Sequence, residues 1–161
     1  MVTKHYSMTK SQPSNLPSSK FGTTFTNLVV GISVGISVGS EDLYRISAAR
    51  IAAKSGLGAG AVVLVSCIGQ VRAVVKGTGL ASVQIGHVDT APAWATSSNS
   101  AVVSAVDWLG IDVYPYLETE TELDSVDNDS GVFQDEYGLT SDVGKGKPVW
   151  VMGTGWPNSA P

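Results

Sequence analysis

The sequence has few residues that bind metals or form cross-links. It contains one cysteine, Cys67, and two histidines, His5 and His87, in 161 residues. A single cysteine excludes an internal disulfide but leaves the redox compartment open, and so few nitrogen and sulfur ligands argue against a zinc site. The apolar neighbours of Cys67 favour a small core residue over a reactive thiol. We expect no metal and no other cofactor.

Charged residues and long hydrophobic runs are also scarce. Only 15% of residues are charged, the net charge is −4, and lysine and arginine form no cluster, so we expect no nucleic-acid partner. The run LVVGISVGISVG spans about twelve residues, short of the roughly twenty that cross a bilayer. The start, MVTKHYSMTK, lacks the apolar centre of a secretory signal. We therefore expect neither a membrane span nor a signal peptide in this chain.

The remaining composition fits one domain with a core, since 43% of residues are apolar and 18 are glycines. Residues 1–20 are polar and aperiodic, and we expect a disordered or non-homologous segment there. We expect residues 21–161 to form one folded domain, which the patterns described below assign to a partial barrel. Its first strand, in NLVVGISVGISVGS, contains a tandem repeat: residues 31–34 and 35–38 both read GISV. An even insertion keeps the side-chain alternation but lengthens the strand by about 13 Å, so a bulge or a looped-out copy must absorb it.

Helical and strand patterns alternate after that first strand. Leu64, Ile68, Val71 and Val75 form one apolar stripe, which predicts a helix that glycines 77 and 79 end. We then expect a strand in ASVQIGHVD, a short helix in SSNSAVVSAVDWLG, a strand in GIDVYPYL, a helix in SGVFQDEYGLTS and a last strand in KPVWV. Alternation of this kind predicts an α/β fold with a parallel sheet.

Two architectures share this pattern, the open doubly wound sheet and the eightfold (β/α) barrel. No predicted strand is followed by a phosphate-binding glycine loop, because the GLGAGA segment does not follow a strand. Polar or aromatic residues end each strand, as at a barrel's catalytic face. We therefore predict a partial (β/α)8 TIM barrel of about four βα units.

Several residues at these strand ends have a chemical and a structural interpretation. Glu41 is either a general acid with a partly buried carboxyl or an acid that opposes a helix dipole. Asp112, Tyr114 and Tyr116 in DVYPY suit a sugar site, or form an ordinary strand end. His87 either contacts a ligand or orients a carboxylate, or is a satisfied buried histidine. Asn128 begins an Asn-Asp-Ser sequon that matters only if the chain is secreted.

Five segments together resemble a known family: LVVGISVGSEDLYRIS, VRAVVKGTGL, GHVDT, DWLGIDVYPY and KPVWVMGTGWP. In order and spacing they are similar to the fungal branch of family 17 glycoside hydrolases, the cell-wall endo-β-1,3-glucanases and glucanosyltransferases. The resemblance implies a (β/α)8 barrel, a β-1,3-glucan substrate that also contacts Trp156, and a retaining mechanism with two glutamates. It implies that Glu41 is the acid/base.

The second glutamate of the family is absent from this sequence. The resemblance places the nucleophile in a Thr-Glu-Thr-Gly-Trp-Pro motif, whereas this chain reads Met-Gly-Thr-Gly-Trp-Pro, with Gly153 at the nucleophile position. Thr154 should point to the other face and Asp112 comes from another strand, so we expect neither to replace it. Hydrolysis should therefore be impaired.

The resemblance also sets expectations for the rest of the protein. It implies that the first three βα units and the eighth are absent, and that the exposed sheet edges favour self-association. It implies a secreted or wall-bound location. The sequence leaves three alternatives: an enzyme by lineage, a glucan-binding remnant without catalysis that uses Tyr114, Tyr116, Trp150 or Trp156 as stacking platforms, and an unstable truncated product.

Overall fold

A computed structural model of the chain describes residues 35–54, 57–115 and 126–155, without the side chains of residues 126–129. The segment 1–20 and the first GISV copy lie outside these ranges, as do Tyr116 and Trp156. The division into segments 1–20 and 21–161 therefore stays a prediction.

The described residues contain one four-stranded sheet in which all neighbouring strands are parallel. The strands are β1 (Gly35–Ser40), β2 (Gln84–Asp89), β3 (Trp108–Val113) and β4 (Val149–Thr154). They lie in the order β1-β2-β3-β4, so each strand pairs with the next along the chain. This arrangement confirms the predicted α/β fold, and β1 consists of the second GISV copy and the two residues after it.

Helices connect the strands, as parallel neighbours require. They are α1 (Asp42–Arg45), α2 (Ala48–Ala52), α3 (Ala61–Val75), α4 (Ala91–Ala95), a 3₁₀ turn (Ser97–Asn99), α5 (Ser100–Ala105) and α6 (Val126–Gly144). The predicted stripe of α3 is confirmed, since Leu64, Ile68 and Val75 are buried and Val71 packs against the core. No described helix is long and apolar enough to cross a bilayer.

The predicted boundary between α5 and β3 is wrong. The sequence places a helix in residues 97–110, but α5 ends at Ala105 and β3 begins at Trp108. The cause is Asp107, whose amide donates to the Ile85 carbonyl at 2.6 Å while its carboxylate accepts from the Ile85 amide at 2.8 Å. This pairing with β2 draws the chain into the sheet. It is a tertiary contact, which helical periodicity cannot indicate.

The two faces of the sheet are filled differently. Ile85, Leu109, Ile111 and Val113 alternate along β2 and β3 and pack in the core beneath the helices. The opposite face is occupied by indole rings: Trp108 and Trp150 stack with centroids 4.2 Å apart. A side chain at Gly86 would collide with the Trp108 ring, and a Cβ at Gly35 would lie 2.8 Å from its Nε1. Glycine on the neighbouring strands therefore leaves the space that the two rings fill.

Candidate active site

The carboxyl end of β1 turns sharply at Glu41. Ser37 is level with Gly86 and Ser40 with Val88, so β1 uses three steps where β2 uses two, which is a β-bulge. Glu41 adopts a left-handed conformation, with φ 54°, and its amide donates to the Val88 carbonyl at 2.8 Å. Positive φ costs a residue with a side chain about 1–2 kcal/mol. The turn therefore needs other contacts to hold it.

The Glu41 carboxylate lies at the rim of the sheet. It accepts a hydrogen bond from Arg45 Nη2 at 3.2 Å, one helical turn further on, and its side chain is 26% exposed. The carboxyl is thus partly exposed, and Arg45 is the cation that pairs with it among the residues that the structure describes.

Asp42 lies directly after Glu41 and points back under the bulge. Its Oδ2 accepts from the Ser40 amide at 3.2 Å, and a side chain at Gly39, where φ is 81°, would collide with the same carboxylate. Burial raises the pKa of Asp42, against opposing effects from the His87 charge, the Ser40 amide and Arg45. Gly39 therefore provides both the positive φ and the space that Asp42 needs.

His87 and Asp89 lie on the helix-covered face of β2 and are fully buried. His87 Nδ1 is 2.7 Å from the Val38 carbonyl, and its Nε2 is 3.0 Å from Asp89 Oδ2. The Asp89 carboxylate also accepts from the amides of Leu43, Tyr44 and Thr90, at 2.9, 3.2 and 2.9 Å. His87 is therefore a buried histidine whose two ring nitrogens both have partners, one of them a carboxylate, and a contact with a ligand stays a prediction.

Asp112, Tyr114 and Gly153 come together at the carboxyl ends of β3 and β4. A register shift after Ile111 makes Asp112 level with Gly153. A Cβ built on Gly153 would lie 2.6 Å from the Tyr114 hydroxyl and 2.7 Å from Asp112 Oδ1. The space next to the Gly153 backbone is thus already shared by a phenol and a carboxylate from the adjacent strand.

The other expected site residues have different positions. Trp150 packs its ring on Trp108, so it fills the sheet face. Asn128 belongs to α6, and its side chain is outside the description. Tyr116 and Trp156 lie outside the described residues, so their roles stay predictions. Because parallel strands end at one edge, the described site residues at that edge are Glu41, Asp112, Tyr114 and Gly153.

Two features of the site were not predicted. The Asp89 carboxylate is the acceptor around which the turn after β1 is built, and the sequence offered a signal for it, because His87 and Asp89 are two residues apart and so share one face of a strand. The pairing of Asp112 with Gly153 had no such signal. It depends on a register shift, which sequence spacing does not show.

Comparison with known proteins relates the chain to glucan-active enzymes, although no family model matches it. It is 50% identical over 141 residues to a probable glucan endo-1,3-β-glucosidase of Aspergillus oryzae, a match that covers 88% of this chain and 29% of the relative. The Aspergillus clavatus protein of the same name is 48% identical over 141 residues, covering 88% of this chain and 30% of the relative. The chain therefore spans about 30% of the length of these curated relatives.

Solved structures agree with the sequence comparison. The crystal structure of a glycoside hydrolase family 17 β-1,3-glucanosyltransferase from Rhizomucor miehei aligns with a TM-score of 0.63 at 25% identity, covering 86% of this chain and 44% of the other. An active-site mutant of the Rhizomucor miehei β-1,3-glucanosyltransferase in complex with laminaritriose aligns over the same shares with a TM-score of 0.65, also at 25% identity. An endo-laminarinase from Formosa shares the fold, with a TM-score of 0.53 at 22% identity over 75% of this chain and 37% of the other.

The parallel sheet, its helical cover and its rim of carboxylates and phenol form part of a (β/α) barrel similar to that of the Rhizomucor miehei glucanosyltransferase. Sequence identity makes the assignment specific. The chain resembles a fragment of a glycoside hydrolase family 17 protein, as the five sequence segments indicated.

Proposed function

We propose that the chain is part of a β-1,3-glucan hydrolase or transglycosylase in which Glu41 is the acid/base and Gly153 stands at the nucleophile position. The observation that carries this proposal is the rim placement of the Glu41 carboxylate, in a segment that is 50% identical to a probable glucan endo-1,3-β-glucosidase. In this role Glu41 protonates the departing glycosidic oxygen and later deprotonates the attacking water.

The proposed reaction lacks its second carboxylate. Retaining hydrolysis needs a nucleophilic carboxylate about 5–5.5 Å from the acid/base, and Gly153 has no side chain. Asp112 Oδ1 lies beside Gly153, but Asp112 sits on β3 and shares its space with Tyr114. We therefore propose that hydrolysis is strongly impaired, because loss of a nucleophile removes most of the rate enhancement.

A chimera tests this proposal within the full length of a relative. The segment replaces its counterpart in the Aspergillus oryzae relative, either as it stands or with Gly153→Glu, and laminarin hydrolysis is measured. We expect little hydrolysis from the first chimera and restored hydrolysis from the second. Adding Glu41→Gln to the second should abolish it again. Equal rates from the two chimeras would contradict the nucleophile assignment, and residual hydrolysis that disappears with Asp112→Asn would make Asp112 the replacement.

A second candidate function is glucan binding without catalysis. It is favoured by Tyr114, which stays partly exposed at the rim while the neighbouring position 153 has no reactive group. We expect the chain to be retained on insoluble β-1,3-glucan and Tyr114→Ala to weaken retention. Tyr137→Ala is the matched control, because Tyr137 is 37% exposed on α6, away from the rim. Equal effects of the two substitutions would contradict a stacking role for Tyr114.

The location and assembly of the protein are also proposals. We propose a secreted or wall-bound protein, and glycosylation of Asn128 would be its marker, detected as a mass shift on enzymatic deglycosylation. We propose self-association as well, since β1 and β4 are the edges of the described sheet and Val62 of α3 is 85% exposed. Light scattering that shows only monomer at rising concentration would contradict this.

A further inference from the structure

We propose that His87 and Asp89 form a buried imidazolium–carboxylate pair that holds the turn presenting Glu41, so that both are positioning residues. The proposal rests on the proposed function only for the role of Glu41 as acid/base. The geometry that supports it involves the backbone on both sides of Glu41.

The hydrogen bonds of His87 define its protonation. Nδ1 is 2.7 Å from the carbonyl oxygen of Val38, which can only accept, so Nδ1 carries a proton. Nε2 is 3.0 Å from Asp89 Oδ2, which is an acceptor when the carboxyl is ionised. A neutral imidazole has one N–H and cannot donate to both oxygens. Either His87 carries two protons, or Asp89 holds the second one.

The donors around Asp89 decide between these two states. Three backbone amides, from Leu43, Tyr44 and Thr90, donate to its two oxygens in addition to the contact with His87. Each oxygen is therefore within hydrogen-bonding distance of two donors, which stabilises the ionised form. A buried carboxylate also needs a compensating charge, and the adjacent imidazolium supplies it. The pair is thus His87 positive and Asp89 negative.

This pair is connected to the backbone before and after Glu41. His87 binds the carbonyl of Val38 within the bulge, and Asp89 binds the amides of Leu43 and Tyr44 at the start of α1. Between these points Glu41 takes its left-handed conformation, and its own amide donates to the Val88 carbonyl of β2. The positive φ is held because the chain is anchored on both sides by one buried charge pair. The Trp94 ring packs edge-on against the His87 ring, with the two centroids 5.5 Å apart.

The first experiment uses the unmodified chain. The ¹⁵N chemical shifts of a ring nitrogen differ strongly between its protonated and bare forms, so a spectrum of ¹⁵N-histidine-labelled protein at neutral pH reports the state of His87. We expect both ring nitrogens of His87 to be protonated. One bare nitrogen would overturn the charged pair. No variant is needed, so this result does not depend on a substituted protein folding.

The second experiment tests positioning with a matched pair of variants. Asp89→Asn removes the charge beneath the turn, whereas Asp107→Asn changes another carboxylate that accepts a backbone amide, that of Ile85, at the far end of β2. We expect Asp89→Asn to speed hydrogen exchange at the amides of Glu41, Leu43 and Tyr44 at least tenfold over Asp107→Asn. It should also shift the ¹³C resonance of the Glu41 carboxyl, which Asp107→Asn should leave unchanged.

A uniform rise in exchange for both variants, or an unmoved Glu41 resonance in Asp89→Asn, would overturn the positioning role. If Asp89→Asn does not fold, His87→Gln provides the test, because the neutral amide retains donors for the Val38 and Asp89 oxygens but removes the counter-charge. Exchange at the turn amides should then be faster than in Asp107→Asn, and an equal rate would overturn the role of the charged pair. None of these measurements requires glucan turnover. Failure of the Gly153→Glu chimera to hydrolyse laminarin, with His87 doubly protonated and the turn protected in the unmodified chain, would count against the proposed function alone.

Discussion

The carboxyl ends of β1 and β4 carry the two positions on which the proposed chemistry depends, and they are supported in different ways. At the β1 end, a buried carboxylate and an imidazole bind the backbone on both sides of Glu41. At the β4 end, Gly153 has no side chain, and the tips of Asp112 and Tyr114 occupy the adjacent space. The β1 end is thus held by hydrogen bonds between buried side chains and its main chain, whereas the β4 end is filled by side chains that follow β3. Substitutions should therefore be costly at the first end and tolerated at the second.

The largest expected effect comes from breaking the support under Glu41. His87→Leu removes the only side chain that hydrogen-bonds to Asp89 among the described residues and leaves a buried charge without its counter-charge. Loss of one partner of a buried pair costs about 3–5 kcal/mol, so we expect a loss of that size in the free energy of unfolding. Tyr114→Phe, the matched change at the β4 end, should cost about 1 kcal/mol. Urea denaturation of both variants measures this difference, and similar losses would remove the contrast.

A smaller effect is expected from adding a side chain at the β4 end. Gly153→Ala places a methyl group within 2.6 Å of the Tyr114 hydroxyl unless that side chain moves. Overpacking costs about 1–3 kcal/mol, and the movable phenol should keep this cost near the lower value. In a Tyr114→Phe background the cost should fall, because the crowded oxygen is gone. A double-mutant cycle measures the coupling, and strictly additive effects would show that Tyr114 does not occupy this space.

Asp42, beside Glu41, and Asp107 should affect the pH dependence of the unfolding free energy in opposite directions. Burial raises the pKa of Asp42 above 3.8, so between 3.8 and its folded value the native state binds more protons than the unfolded state. Stability contributed by Asp42 therefore falls as the pH rises through that window, and Asp42→Asn should abolish the fall.

Asp107 should behave in the opposite way. Desolvation opposes the shift, but hydrogen bonds from Arg72 and the Ile85 amide lower the pKa of Asp107 below 3.8. Its contribution is present above 3.8 and is lost as the pH falls through the folded value. Asp107→Asn should thus be less stable than the unmodified chain at neutral pH and converge with it in acid. Urea midpoints from about pH 2 to about pH 7 would test both signs, and parallel curves for the two variants would contradict them.

The smallest effect is expected from the ion pair that involves Glu41 itself. Arg45 is 38% exposed and pairs with Glu41 across one helical turn. Exposed pairs at this spacing contribute about 0.3–0.5 kcal/mol, so Arg45→Ala should barely change the unfolding free energy. A loss above about 1 kcal/mol would show that the Glu41–Arg45 ion pair, and not only the buried His87–Asp89 pair, stabilises the turn.

Elements with strong local patterns were predictable from sequence. The stripe of α3 and the alternation of strands and helices reflect the side-chain periodicities of the two structures, and both are confirmed. The short helices α1, α2 and α4 were missed, because four or five residues are too few for a periodicity to show. The start of α1 depends on a tertiary contact, since the Asp89 carboxylate accepts from the amides of Leu43 and Tyr44.

The site was predictable as a set of residues at strand ends but not as a geometry. Asp112 and Tyr114 were identified as parts of one sugar site and Gly153 as a separate position, and the register shift in β3–β4 brings the three together. The buried contacts of His87 likewise depend on which face of β2 the helices cover. Registers and faces are decided by packing between distant segments, which a single sequence does not contain.

Gly35 and Gly86, which face Trp108, affect the register of β1. The indole rings leave room only for glycine at position 35, so β1 is aligned by a steric fit as well as by its hydrogen bonds. The tandem repeat weakens that alignment, because residues 31–34 carry the same GISV letters as residues 35–38. Slid by four residues, the strand would present another glycine to the same rings, with its alternation intact and Glu41 displaced by about 13 Å. The repeat makes the register of β1 degenerate over its first five residues, because Gly35 would then stand where Gly39 does. The two alignments first differ at Ser40, Glu41 and Asp42, so the contact of the Asp42 carboxylate with the Ser40 amide distinguishes them.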